Sequence, residues 1–163
     1  MPRIMDILET IAHFGKNPDG SYTRRLYSPE FFQALEAAEN LLQKAGLSTS
    51  RDAAGNLRAV LPGTDPDARH ILMGSHLDTV PSGGLYDGAY GVAAAIGCVQ
   101  RLQEEGRRLR HTVEVYAFNG EEASPLGGTF GSRALAGLTD PDQPLLKETL
   151  EGFGRRVEEI LAC

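Results

Sequence analysis

His70-Ile71-Leu72-Met73-Gly74-Ser75-His76 is an apolar run that closes on polar residues. Such a run suits a central strand buried on both faces. Working outward, Tyr90 to Glu105 reads as a helix stopped by Gly106. Thr112 to Phe118 then alternates, with Val113, Val115 and Ala117 on one face, as a further strand does. Towards the N-terminus, Asn56 to Leu61 and Leu47 to Arg51 read as short strands divided by Ala54-Gly55 and closed by Pro62-Gly63. Ahead of them a helix opens at Ser28, a good N-cap, with Pro29 at its first position and Gly46 as its stop. Another helix covers about Met5 to Phe14, and Asn17-Pro18-Asp19-Gly20 reads as a turn. The stretch from about Leu145 to Leu161 carries an amphipathic stripe interrupted by Gly152 and Gly154. Strands alternating with helices predict a three-layer α/β/α domain.

The 163 residues fit one domain, able to bury roughly 70% of the surface the unfolded chain exposes. A net charge of −6 with no Lys/Arg run argues against nucleic acid or an anionic membrane as partner. No stretch approaches the ~18 apolar residues of a membrane span, and no signal-peptide core is evident. The two cysteines, Cys98 and Cys163, supply neither a disulfide framework nor zinc-ribbon spacing. Cys98, within the apolar run from Val92 to Val99, is expected in the core. A cytoplasmic protein is the default.

In open α/β sheets ligands bind beyond the carboxyl ends of the strands. His76 and Asp78 close one strand, Glu121-Glu122 follow another, and Asp87 opens the helix between them. Singly, each has a plainer explanation: a structural histidine, a solvated acidic pair, an Asp-Gly turn. Together and in this order they suit a metal centre. Neutral imidazole and carboxylates bind Zn²⁺, or the harder Mn²⁺ and Co²⁺. Asp87 has two oxygens and could bridge two ions roughly 3.5–4 Å apart. Asp78, two residues after His76, can accept the free ring N–H and fix the tautomer. Of the adjacent glutamates, one can bind metal while the other takes a proton from water.

The block Gly74-Ser75-His76-Leu77-Asp78-Thr79-Val80-Pro81-Ser82-Gly83-Gly84-Leu85-Tyr86-Asp87-Gly88 resembles the hydantoinase/carbamoylase branch of the M20 metallopeptidase clan. Asp19-Gly20, Thr23-Arg24, Tyr27-Ser28-Pro29-Glu30 and Gly131-Ser132-Arg133-Ala134-Leu135-Ala136-Gly137 are similar to that branch as well. The resemblance implies a zinc-peptidase-like catalytic domain with two divalent metals (Zn, or Mn/Co/Ni). It makes His76 a ligand of one metal, Asp87 the bridging ligand and Glu122 a ligand of the second. Glu121 becomes the general base and Asp78 the orienting carboxylate. The implied reaction is hydrolysis of a linear amide or ureido C–N bond, in N-carbamoyl amino acids or allantoate-like small molecules, by a metal-bridged water.

Two departures accompany it. Many relatives follow the glutamate pair with Gly-x-Arg-Phe, where this chain has Ala123-Ser124-Pro125-Leu126-Gly127-Gly128. Members also supply later histidine ligands, one in a Glu-Leu-His-Ile-Glu-Gln-Gly-like motif, and insert a lid domain; neither is found in residues 1–163. His70 should lie roughly 20 Å from His76 along its strand, and His111 at the far end of its own, so neither substitutes; His13 stays open. The expectation is therefore the N-terminal portion of a catalytic domain, weakly active or inactive alone and prone to self-associate or to need a complementing chain. A non-catalytic interaction module and one half of a split enzyme are the alternatives.

Overall fold

The computed structural model describes residues 4–122 and 127–139. Its elements run α1 (Ile4–Ala12), α2 (Pro29–Lys44), β1 (Ser48–Arg51), β2 (Leu57–Leu61), β3 (Ile71–His76), α3 (Ala89–Glu104), β4 (Val113–Phe118) and α4 (Phe130–Leu135). The anticipated helix over 145–161 and the loop 123–126 lie outside the described residues.

Local chemistry sets these boundaries as read. The Ser28 hydroxyl accepts the Phe31 amide at 3.2 Å, and Pro29 occupies the first helical position of α2. Gly46 ends that helix at φ +81°, a conformation that a side chain would oppose.

The strands form one sheet in the order β1-β2-β4-β3. β1 pairs antiparallel with β2, and β2 antiparallel with β4 (Ala59 opposite Val115). β3 runs parallel to β4 with Met73 opposite Val115 and His76 opposite Phe118. The right-handed β3-α3-β4 unit geometry expected of a parallel pair brings both strand ends to the same edge. Mixed α/β architecture is thus present, but β3 is not the central strand. Among the described residues it pairs only with β4, and Ile71 and Leu72 are 41% and 51% exposed. The buried middle position belongs to β4, whose residues 113–117 are all buried. Apolar composition alone does not separate the two, because both strands are rich in aliphatic residues.

Helices α2 and α3 pack on the sheet face carrying Leu57, Ala59, Val113, Val115 and Ala117, and α1 packs against α3 and α2. Ile7, Leu8, Ile11, Phe31, Leu42, Val92, Ile96 and Val99 fill that layer, each burial contributing ~1.5–3 kcal/mol. Cys98 is exposed instead of buried, since it stands 200° around α3 from Ile96. On the opposite face Glu114 accepts two bonds from Arg58, at 2.7 Å each, and one from the Tyr116 hydroxyl at 2.9 Å. His70 Nδ1 lies 2.6 Å from the same carboxylate.

Candidate metal centre

β3 ends at His76 and β4 at Phe118, so the turns that follow them meet at one edge of the sheet. Leu77, fully buried, anchors the first turn in the core. Its carbonyl accepts Arg24 Nε at 2.8 Å, while the Arg24 main chain exchanges bonds with Thr79: the Thr79 amide donates to Arg24 O (2.9 Å) and the Arg24 amide to Thr79 Oγ1 (2.8 Å). Burial lowers the pKa of the Arg24 guanidinium from its ordinary value, with Tyr22 and Asp78 opposing the shift. This clamp fixes residues 77–79 against the body of the domain.

The second turn is held from another side. The Asn119 amide donates to Asn56 Oδ1 at 2.8 Å, and Asn119 Nδ2 reaches the Tyr27 hydroxyl (2.7 Å) and Ala54 O (2.8 Å). Gly120 turns the chain at φ +70°, and residues 119–121 accept the amides of Gly131, Phe130 and Thr129. Glu121 and Glu122 leave this turn in different directions.

The structure brings His76, Asp87 and Glu122 together: one ligand atom from each lies within 4.8 Å of the other two. His76 Nε2 is 3.9 Å from Asp87 Oδ1 and 3.7 Å from Glu122 Oε1. Three donors bound to one ion at ~2.1 Å in tetrahedral geometry would stand about 3.4 Å apart. The two distances from His76 Nε2 exceed that spacing by only a few tenths of an ångström. His76 is largely enclosed, Glu122 half-buried and Asp87 exposed, which leaves the cluster open on the Asp87 side. A nitrogen and two carboxylate oxygens are a donor set that zinc-like ions accept.

Asp78 is 1% exposed, and its role differs from the expected one. Its carboxylate stands 3.8 Å from His76 Nδ1, beyond hydrogen-bond range. The main-chain carbonyl of Asp78 takes that place at 2.9 Å. A carbonyl can only accept, so Nδ1 carries the hydrogen and Nε2 is the ring nitrogen turned to the cluster. The carboxylate accepts the Glu122 amide at 2.9 Å and lies 3.4 Å from the Glu121 amide. The main-chain carbonyl of Asp78 is thus the group beside Nδ1, and its side chain is spent on the turn after β4. Glu121 does not join the cluster of three; its two oxygens accept the amide (2.8 Å) and the hydroxyl (2.6 Å) of Ser132.

Glycine is required where α3 begins. Gly88 has φ +67°, and a Cβ there would meet His76 Cε1 and Nδ1 at 2.5 Å and its carbonyl oxygen at 2.6 Å. The other histidines stay away. His70 belongs to the Glu114 network, His111 Nδ1 lies 2.6 Å from Arg69 O, and His13 stands edge-on to Phe14 at the end of α1.

Arg24, Asn56, Asn119 and Ser132 support the site without having been singled out for it. Arg24 and Ser132 lie within segments that carry the family resemblance; Asn119 precedes the glutamates directly. Asn56 had only its polar character in an apolar strand as a signal.

The profile of peptidase family M28 matches residues 56–150. N-carbamoyl-L-amino acid amidohydrolase of Geobacillus stearothermophilus is 40% identical over 141 residues, covering 86% of this chain and 34% of the relative. Allantoate amidohydrolase of Escherichia coli is 38% identical over 140 residues, 85% of this chain and 34% of that protein. Among solved structures, a hydantoinase/carbamoylase family amidase from Burkholderia ambifaria superposes with a TM-score of 0.82 at 32% identity, over 86% of this chain and 34% of its own. The chain spans about a third of the length of these relatives. The sequence resemblance names the M20 clan and the matching profile is M28; the carbamoylase and allantoate hydrolases are the branch that the motifs anticipate.

Proposed function

Since this chain belongs to peptidase family M28, we propose that it supplies part of the active site of a metal-dependent amidohydrolase acting on linear ureido or amide bonds. The observation that carries this reading is the convergence of His76, Asp87 and Glu122 beside a separately held Glu121. The names of its relatives favour N-carbamoyl amino acids or allantoate-like substrates.

In this proposal His76 Nε2, Asp87 and Glu122 hold a divalent ion, Zn²⁺ or one of Mn²⁺, Co²⁺ and Ni²⁺. Asp87, the exposed member, has an oxygen left over for a second ion. When bound, the metal would polarise the scissile carbonyl and favour the nucleophilic form of water. Glu121 takes a proton from the attacking water and returns it to the departing nitrogen, so carbon–nitrogen cleavage leaves Glu121 ionised again. Asp78 keeps both turns in register and holds the His76 tautomer. Residues 1–163 act as the N-terminal portion of the catalytic domain, and further ligands come from elsewhere in the enzyme or from a complementing chain. The exposed β3 edge, with Ile71 and Leu72, supports a second copy or such a chain as partner. No described helix is long and apolar enough to cross a membrane. A cytoplasmic place of work belongs to the same proposal, on the cysteine usage of the sequence.

Calorimetric titration with Zn²⁺ and Mn²⁺, run beside an assay of N-carbamoyl-amino-acid and allantoate hydrolysis, tests the reading. Metal binding that vanishes in His76→Ala is expected. Failure of the wild type to bind either ion would sink the metal-centre reading.

A further inference from the structure

Ser132 sits in the first turn of α4, where amides have no partner inside the helix. Its amide donates to Glu121 Oε1 at 2.8 Å and its hydroxyl to Oε2 at 2.6 Å. One residue therefore grips both oxygens of the carboxylate and fixes the plane of the group. Each carboxylate oxygen keeps a second lone pair free. The Ser132 hydroxyl also has an alternative acceptor, the carbonyl of Thr129 at 3.3 Å. Thr129 adopts φ +58°, an uncommon conformation for a β-branched residue, and it is this turn that presents the carbonyl.

We propose that Ser132 is a positioning residue for the hydrolytic reaction: it aims the Glu121 carboxylate and keeps that aim while Glu121 carries a proton. The inference rests on the amidohydrolase reading above. The O–H bond of water breaks as a carboxyl O–H forms on a free lone pair of Glu121, and that proton then passes to the leaving nitrogen. The Ser132 amide and hydroxyl donate to the other lone pairs throughout. The backbone N–H at Oε1 is unchanged throughout, so the carboxyl group does not swing between the two half-steps.

A residue that merely capped α4 would stabilise the fold and do nothing else. Ser132→Ala separates the two roles, because it keeps the amide bond and removes the hydroxyl alone. In the Mn²⁺-loaded enzyme, assembled with the chain that supplies the further ligands and with an N-carbamoyl-L-amino acid as substrate, we expect kcat to fall on the order of 10–100-fold. KM and Mn²⁺ stoichiometry should stay as in the wild type. Ser132→Thr, which keeps a hydroxyl, should recover most of the rate. In a Glu121→Gln background, Ser132→Ala should cost no further rate, because it acts through the carboxylate. An active wild type with an indifferent Ser132→Ala, a loss that Thr does not rescue, or full additivity with Glu121→Gln would overturn this inference alone. A wild type that, assembled with the chain supplying the further ligands, binds Mn²⁺ yet hydrolyses none of these substrates would overturn the amidohydrolase reading, and the role of Ser132 with it.

Discussion

His76 and Asp78 are joined twice over, once by sequence and once by the 2.9 Å contact from the His76 ring Nδ1 to the Asp78 carbonyl. Asp78 then uses its carboxylate on the Glu122 amide, also at 2.9 Å. A single buried residue thereby ties the end of β3 to the turn after β4. The histidine tautomer depends on main chain, so a side-chain change at 78 should leave it intact. Asp78→Asn should keep the Nδ1–H form, read by nitrogen NMR of His76, while destabilising the fold by about 1–3 kcal/mol through the disturbed Glu121–Glu122 amides.

His76 is the least exposed of the three proposed ligands and the one nitrogen donor among them. His76→Ala should weaken Zn²⁺ or Mn²⁺ binding at least about 100-fold, or ~2.7 kcal/mol, by calorimetry.

Gly88→Ala combines an unfavourable φ with a Cβ placed 2.6 Å from the His76 carbonyl oxygen, a rigid backbone atom. A loss of roughly 2–4 kcal/mol is expected in urea unfolding. Metal affinity should fall as well, since α3 cannot then start close enough to bring Asp87 beside His76.

Asn56 is fully buried and lies far from the cluster in sequence, yet its side chain accepts the Asn119 amide and donates to Gly131 O at 3.1 Å and to Asp52. Asn56→Ala would strand buried polar groups on both segments that frame Glu121. Destabilisation of about 2–3 kcal/mol, with weakened metal binding in titration, is the expected result.

Acid sensitivity should come from the opposite sheet face. Bonds from Arg58, and then from His70 and Tyr116, hold the Glu114 carboxyl down at about 2, while burial opposes them. Burial, and then the bond to Glu114, push the Tyr116 hydroxyl up to about 12. A depressed carboxylate contributes its stability above the unfolded value of 4.5 and loses it as pH falls towards 2. That contribution is on the order of 3 kcal/mol at most. Glu114→Gln should flatten the stability curve between these values. An unchanged slope by denaturant titration would show that other carboxylates carry the acid limb.

Much of this was legible from residues. Ser28-Pro29 and Gly46 delimit α2 because capping and left-handed backbone are local demands, met within a few residues. His76, Asp87 and Glu122 were legible because strand ends in an α/β sheet gather at one edge. Two readings failed where the deciding force is non-local. Strand order is set by which partners pair, so the apolar run 70–76 could not reveal that, among the described residues, β3 pairs on one side only and β4 on both. Likewise, the distance of two residues from His76 to Asp78 suggested a side-chain contact, but the Asp78 carboxylate bonds to the Glu122 amide and its carbonyl takes the contact with the ring. Arg24 shows the same limit: a charged residue buried by tertiary clamping has no periodic signature.

The double attachment of Asp78 has a consequence for how the proposed ion and the fold would depend on one another. Small zinc domains wait for their metal before they fold, because nothing else gathers their ligands. Here hydrogen bonds and a buried aliphatic layer gather them, so the fold is a vessel made before it is filled. Stripping the protein with a chelator should abolish ion-dependent heat in calorimetry and leave its circular dichroism spectrum unchanged, and readdition of metal should restore binding without a refolding lag.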